Sequence, residues 1–419
     1  MGVDFGKSEL LGGEACLEAL KGGKVGWFAP DYKRLEPSYR LCKRAVQEIL
    51  FTSNKTTGFL ETIIPFRHDP REHSSIEFWT LNDEDAGRSR AYNLVIIDEA
   101  AFAPLEMMQI WQKAIEPTLL DYKGRVLVAS NTNGIDDQQF FWRICNEEGH
   151  GFGPKNEDGT FGFHATAYDN PLIPKDELDL LKLTRPPNVW AQEYCAEFVD
   201  WSGDAFFLLE WMLSDQGLPT ADSNSDLPRR IDSVYAVIDT ATKTGREHDG
   251  TAVVYFGKNT LGDNIPLTIL DWDIQKIEGA LLETWLPVVC NTLEELARET
   301  GARFGVLGVW IEDKGSGQVL IQQAERRGIN SMAIDPKFTS LGKDERAINV
   351  SGYFFQKKVR LAKRAYDRVK IYNGVSRNHL LSQISAFRIG DRESARRADD
   401  LLDCVVYGAA IGLGDSHGF

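Results

Sequence analysis

The sequence predicts an α/β protein built as two sheet-containing domains in series. Short apolar runs alternate with helix-period stretches through the first half, the pattern of a covered, mostly parallel sheet. Near residue 230 the pattern restarts with three closely spaced apolar runs, which suit an antiparallel meander inside a mixed sheet. Between the two lies a stretch that turns helical and then rich in Gly, Pro, Ser, Asn and Asp. A length of 419 residues allows two or three domains, and 22 Phe and 10 Trp supply cores for them.

Taken in order, the first half predicts a helix over 9–22, a strand Val25–Ala29 and a helix Leu35–Phe51. Strands Ser75–Thr80 and Leu94–Ile97, a helix Pro104–Ile115 and a strand Gly124–Ala129 follow. Residues 213–230 read as an interdomain linker. Beyond them come strands Ser233–Thr240, Gly250–Phe256 and Pro266–Trp272, and then a helix over 279–300. A strand Val306–Glu312, a helix Gln318–Arg327, a short strand near Ala333 and further helices complete the chain.

Six scattered cysteines with no CxxC pair point to reduced thiols rather than a disulfide frame or a zinc site. No apolar run is long enough to span a bilayer and no signal-peptide pattern opens the chain, so no membrane partner is expected. The net charge of −15 argues weakly against nucleic acid, but binding needs only a local basic face. Lys357, Lys358, Arg360, Lys363, Arg364, Arg368 and Lys370 form one such run, and Arg388, Arg392, Arg396 and Arg397 a second.

Near the start, Gly6-Lys7-Ser8 directly precedes a helix. In a phosphate loop, backbone N–H groups and the helix N-terminus meet the phosphates, the lysine adds charge and the serine holds Mg2+. Leu94-Val95-Ile96-Ile97-Asp98-Glu99 is a buried-strand pattern ending in two acids. There Asp98 would orient Mg2+ and Glu99 would activate the attacking water. A strand ending in Ser130-Asn131-Thr132 places hydroxyl and amide groups where a γ-phosphate could be sensed. These features in this order indicate a P-loop NTPase-type domain that uses ATP.

In the second half, Asp239 stands at the end of an apolar strand, where a lone carboxylate would be costly to bury and wants a partner or a metal. Glu312 ends another apolar strand. Asp399, Asp400 and Asp403 crowd the first turn of a late apolar helix, a place where capping also favours acids. Acids at the ends of two strands and on a late helix match the layout of an RNase H-like site for two Mg2+ or Mn2+ ions.

Together these residues make the sequence similar to the large subunits of tailed-phage terminases over nearly its whole length. Asp169-Asn170-Pro171, Trp190-Ala191-Gln192-Glu193-Tyr194 and Ala196-Glu197-Phe198-Val199-Asp200 resemble the family's passage from ATPase core to nuclease. Glu312-Asp313-Lys314-Gly315-Ser316-Gly317 resembles its second nuclease motif, and Asp399-Asp400-Leu401-Leu402-Asp403 its third. The resemblance implies an ATPase domain over 1–168, truncated at its N-terminus, a helical linker or lid over 169–226 and an RNase H-like nuclease over 227–419. It makes Glu99, Asp239, Glu312 and Asp400 catalytic. It places ATP against Gly6, Lys7, Ser8, Asp98, Ser130, Asn131 and Thr132.

The nuclease metals would take Asp239, Glu312 and an acid from Asp399, Asp400 and Asp403, with Asp400 favoured. Double-stranded DNA would lie on Lys357, Lys358, Lys363 and Arg364. A small terminase subunit and a portal protein are the implied partners, with a monomer when free and a pentamer on the portal. The implied location is the host cytoplasm and, transiently, the procapsid portal. The upstream strand of the phosphate loop is missing from this sequence and Asp4 stands in the loop, which predicts weak ATP binding. The competing sequence reading is an RNase H-like nuclease of transposase or resolvase type with a vestigial ATPase half.

Charge reversal at Lys357, Lys358, Lys363 and Arg364 together is expected to weaken DNA cleavage and flatten its salt dependence, because phosphate contacts release counterions. Cleavage at the unsubstituted rate across a salt series would make the run a solvated or structural feature instead.

Overall fold

A computed structural model describes residues 6–47, 52–56, 59–65, 73–146, 161–201, 205–240, 250–260, 265–277, 282–390 and 399–414. The chain divides into two compact units, one of residues 1–182 and 187–200 and the other of 183–186 and 201–419.

The first unit opens with α1 (Lys7–Leu20), β1 (Lys24–Ala29) and α2 (Tyr32–Ala45). β2 (Thr52–Thr56), β3 (Phe59–Pro65), β4 (His73–Thr80), β5 (Leu94–Asp98), α3 (Met107–Ile110), β6 (Arg125–Ala129) and α4 (Phe140–Asn146) follow. Its later helices are α5 (Lys175–Thr184), which runs into the second unit, and α6 (Pro187–Val189). The sheet order is β2-β3-β4-β1-β5-β6, with β4, β1, β5 and β6 parallel and β2-β3-β4 antiparallel. Alternation along β5 sends Leu94 and Ile96 into the core under α1 and α2, and Val95 and Ile97 into the opposite core with Met107 and Phe140. Both faces are covered, which is why this strand is apolar throughout.

The second unit begins with the antiparallel meander β7 (Ser233–Asp239), β8 (Thr251–Lys258) and β9 (Leu267–Gln275). It continues with α7 (Leu282–Thr300), β10 (Val306–Ile311), α8 (Ser316–Arg326), β11 (Ser331–Ala333), α9 (Pro336–Thr339) and α10 (Lys343–Phe355). It ends with β12 (Val359–Leu361), α11 (Lys363–Asp367), the hairpin β13 (Lys370–Tyr372) and β14 (Val375–Arg377), α12 (His379–Ala386) and α13 (Asp400–Leu413). The strand order is β11-β10-β7-β8-β9-β12, with β10 parallel to β7. Val234, Ala236 and Ile238 enter the core formed with α7 and α8. Strand alternation turns Tyr235, Val237 and Asp239 to the other face. There α13 lies, and the Tyr235 hydroxyl donates to the Gly408 carbonyl at 2.6 Å.

Two expectations are corrected, and one hairpin went unpredicted. The predicted single helix Pro104–Ile115 is broken: after α3 the chain widens into a π-turn at Trp111–Ile115 and tightens into a 3-10 turn at Glu116–Leu119. Pro117 has no N–H to give the Lys113 carbonyl, and its ring crowds that carbonyl. Residues 213–230 are not a linker between cores. Leu227 and Ile231 are buried in the second unit's core, and Thr220 donates its N–H to the Leu361 carbonyl at 2.7 Å. The β2–β3 hairpin went unpredicted because Thr52-Ser53-Asn54-Lys55-Thr56 carries no apolar alternation.

The seating of α13 depends on missing side chains. A Cβ on Gly408 would lie 2.1 Å from Phe256 Cζ, and one on Gly412 would lie 2.4 Å from the Tyr235 hydroxyl. Gly408→Ala is therefore expected to cost about 1–3 kcal/mol through forced displacement of the ring. Urea denaturation of the full chain, followed through the second unit's transition, checks this. An unchanged midpoint would mean that the ring yields freely.

Candidate functional site

In the first unit three separated motifs converge. Gly6, with φ of 91°, caps α1 in the left-handed conformation that glycine tolerates. The next residue, Lys7, is buried and its ammonium donates to Asn131 Oδ1 beyond β6. Parallel pairing of β5 with β6 sets Asp98 opposite Ala129, so the residues that follow each strand emerge side by side. Ser130 Oγ donates to Glu99 Oε2 at 3.3 Å and accepts from the Ala101 N–H at 3.1 Å. Glu99 itself has φ of 52°, a left-handed backbone uncommon for a residue with a side chain.

Asp98 takes its hydrogen bonds from Ser38 Oγ at 3.3 Å and from the Glu99 N–H at 3.1 Å. Burial and the neighbouring Glu99 charge raise its pKa to about 6, against the pull of Ser38, the Glu99 amide and Lys7. Ser8, Tyr32, Ser38, Arg40 and Arg44 line a cleft of about 650 Å³ between α1 and α2. Gly2 and Asp4 lie outside the described residues.

Thr132 turns away from this cluster. Its hydroxyl is 2.8 Å from the Glu197 carbonyl and 3.2 Å from that of Gln192, while the Gly134 N–H donates to Gln192 Oε1 at 3.0 Å. Ser38 carries no signal in the sequence, where it is an ordinary polar position on a helix, and Gln192 stands there only within the segment Trp190–Tyr194, with no role of its own.

In the second unit the acids gather at one end of the sheet. Because β7 and β10 run parallel with Ile238 opposite Ile311, Asp239 and Glu312 leave the sheet at the same edge, and the Glu312 N–H donates to the Ile238 carbonyl at 3.2 Å. The turn after Glu312 is tight: a Cβ on Gly317 would lie 1.9 Å from the Glu312 carbonyl oxygen. The first turn of α13 brings in Asp400 and Asp403, fixed by Gln383 Oε1 accepting from the Leu401 and Leu402 N–H groups at 2.9 and 3.1 Å.

Burial raises the Asp239 pKa well above the carboxylate range, and the charges of Asp403, Glu312 and Asp400 add to it. Glu312 is also pushed up by burial. The Lys314 ammonium 2.8 Å away and hydrogen bonds from the Asp239 carboxyl and the Tyr407 hydroxyl outweigh this and leave its pKa below the usual value. Asp400 Oδ2 accepts from the Gly250 N–H at 3.3 Å, whereas Asp399 is paired with Lys343 and Asp403 with Arg346.

The donor set suits a hard divalent cation: four carboxylates, with a Thr240 hydroxyl that is buried and has no hydrogen-bond partner among the described residues. Among those residues, no three acidic, histidine or cysteine side chains converge closely enough to enclose an ion unaided. Lys314, Lys343 and Arg346 hold Glu312, Asp399 and Asp403 in ion pairs instead. Arg346 was not anticipated from sequence.

The basic run is largely engaged within its own unit. Lys357 pairs with Asp215, and Arg364 forks onto Asp226 at 2.9 Å and Glu299 at 2.5 Å. Arg360 donates to the Leu213 carbonyl, and Arg368 and Lys370 pair with Asp273. Lys358 sits 6.0 Å from the Tyr353 ring centroid. Arg392, Arg396 and Arg397 lie outside the described residues.

A linkage argument tests the Asp98 environment. Its pKa is 3.8 ordinarily and about 6 in the fold. As pH rises the unfolded chain therefore loses this proton first. Stability falls between about pH 4 and pH 6, and the full penalty of roughly 3 kcal/mol is present above that window. Asp98→Asn is expected to stabilise the ligand-free protein by up to about that amount at pH 8 and to change little at pH 4. Denaturation curves at the two pH values check it; an equal effect at both would mean the substitution acts through packing.

No family model matches the sequence. The terminase large subunits of Thermus phage G20c and Thermus virus P23-45 each match it at 26% identity over 372 residues, 81% of this chain and 70% of theirs. The large terminase of a thermophilic bacteriophage superimposes with a TM-score of 0.62 at 13% identity, over 98% of this chain and 92% of that one. The same protein in complex with ADP gives 0.62 over 99% and 93%. At that identity the structural likeness speaks to fold, and the sequence relationship speaks to descent. The chain is thus similar to terminase large subunits in sequence over most of its length, and it shares the α/β fold of a large terminase.

Proposed function

We propose that this chain drives viral DNA into a procapsid with ATP and cuts concatemeric DNA with a metal-dependent endonuclease. The observation that carries the proposal is that each unit gathers its acids at the ends of parallel strands. Asp98 and Glu99 follow β5 in the first unit, and Asp239 and Glu312 end or follow β7 and β10 in the second.

In the first unit, Lys7 and the amides at the start of α1 would bind the phosphates of ATP, and Ser8 and Asp98 its Mg2+. Glu99, held by Ser130, would orient and deprotonate the attacking water. The large terminase of the thermophilic bacteriophage was solved with ADP, which supports the nucleotide assignment by analogy. In the second unit, Asp239, Glu312 and Asp400 would hold Mg2+ or Mn2+. Bound there, the ions would supply Lewis-acid polarisation of the scissile phosphate and an activated water. The protein's part would be to bring the three carboxylates to one end of the sheet from two strands and a helix.

Partners follow from the same reading: double-stranded DNA along the second unit, a portal protein and a small terminase subunit, on a procapsid in the host cytoplasm. Among the described residues, no helix is long and apolar enough to cross a membrane. Lys358 and Lys363 are better placed than Lys357 and Arg364 to give their charge to DNA, because the latter two are committed to ion pairs.

Two activities measured on the full chain test this. Asp239→Ala is expected to abolish Mn2+-dependent plasmid cleavage while ATP turnover persists. Glu99→Gln is expected to lower ATP turnover by at least about 100-fold while cleavage persists. Cleavage at the unsubstituted rate by folded Asp239→Ala would refute the nuclease assignment. ATP turnover unaffected by Glu99→Gln would refute the motor assignment.

A further inference from the structure

We propose that Cys16 and Cys42 form a peroxide-reactive thiol pair that closes to a disulfide, clamping α1 to α2 and slowing turnover in the cleft between them. The pair is a modification site in its own right; its effect on turnover rests on the ATPase reading.

The two helices approach closely where α1 carries no side chain. A Cβ on Gly12 would lie 2.9 Å from Leu41 Cδ2 and 3.8 Å from Cys42 Sγ. Cys16 follows Gly12 by one helical turn and so shares its face. Both cysteines are free thiols, buried in the same core. Cys16 Sγ lies 4.0 Å from the Cys42 carbonyl oxygen, and the two thiols hydrogen-bond each other. The sulfurs therefore already meet across the helix interface.

The two thiols are unequal. Cys42 is fully buried, and its hydrogen bond to Cys16, reinforced by burial, holds its proton on. Cys16 is 8% exposed, and the hydrogen bond from Cys42 lowers its pKa against the opposing effect of burial. Cys16 is thus the sulfur that a small oxidant meets as a thiolate. The thiolate attacks one peroxide oxygen and the O–O bond breaks. The departing hydroxide takes up the proton that Cys16 shed, giving water, and a sulfenic acid remains on Cys16. Cys42 Sγ then attacks that sulfur. The S–S bond forms as the S–O bond breaks, and the hydroxide leaves with the Cys42 proton as a second water. Two thiols lose two electrons in all, and one peroxide is reduced to two waters.

The bond would act on the cleft through the helices that line it. Ser8 stands about two turns before Cys16 on α1, and Ser38 about one turn before Cys42 on α2; both line the cleft. Ser38 also donates to Asp98. A disulfide needs its sulfurs about 2.05 Å apart. Closing it would draw α2 onto α1 and carry Ser38 with it.

Hydrogen peroxide treatment of the full chain is expected to yield a Cys16–Cys42 cross-linked peptide pair in nonreducing mass mapping. ATP turnover is expected to fall at least about fivefold and to recover in dithiothreitol. Cys16→Ser and Cys42→Ala are each expected to retain turnover and to lose this thiol-reversible inhibition. Peroxide that leaves both thiols free, or that oxidises Cys16 without joining it to Cys42, would overturn the pair. A disulfide with turnover unchanged would overturn the clamp, and so would equal inhibition of folded Cys16→Ser. Absence of ATP turnover by the reduced, unsubstituted chain would overturn the ATPase reading, and the peptide map would still decide the pair.

Discussion

Carboxylates repel one another, and the second unit drives four of them toward the same end of one sheet. Two unit charges 4 Å apart repel by about 4 kcal/mol at the effective dielectric near a protein surface. Asp239 ends a strand in which every residue is buried, so water can do little to screen it. Much of the surrounding architecture answers this constraint. Burial and its acidic neighbours push the Asp239 pKa up, and three cationic side chains take up Glu312, Asp399 and Asp403. Gln383 clamps the first amides of α13. The apolar packing of α7 and α8 on one face, and of the glycine-bearing face of α13 on the other, keeps the strand from relaxing away from its neighbours.

The first unit meets a milder form of the same difficulty. Asp98 and Glu99 are adjacent in sequence, and the Glu99 charge helps raise the Asp98 pKa while its own carboxylate meets Ser130. Asp98 is left with a hydroxyl and an amide as donors, and Glu99 with Ser130. Lys7 is bonded to Asn131, so its charge acts on Asp98 at a distance. Hydroxyls and an amide meet the acids of the first unit, and resident cations meet Glu312, Asp399 and Asp403 in the second.

Much of this was legible in the sequence, for physical reasons. Buried strands covered on both faces read as unbroken apolar runs, so β5, β7 and β10 and the acids at their ends stood out. α13 was equally clear, because three acids precede an apolar stretch. What escaped depends on partners far away in the chain. The polar strand Thr52–Thr56 exists because β3 offers it a ladder, and its own residues give no sign of that. The basic run looked like a nucleic-acid face because Asp215, Asp226, Glu299 and Asp273, which engage much of it, lie up to 142 positions upstream. Arg346 is an ordinary arginine until α10 is laid against α13. The break before Pro117 was local and could have been read from the proline's missing N–H.

Thr132 has a mechanical implication of its own. Its hydroxyl hooks the Gln192 and Glu197 carbonyls, and Gln192 reaches back to the Gly134 amide, so the end of β6 is stitched to the last segment of the first unit within and just after a π-turn at Trp190–Tyr194. Thr132 is two residues from Ser130, which holds Glu99, and Glu197 is three residues from Asp200, where the unit ends. The Thr132 hydroxyl thereby links the strand end that holds Glu99 to the segment that closes the first unit.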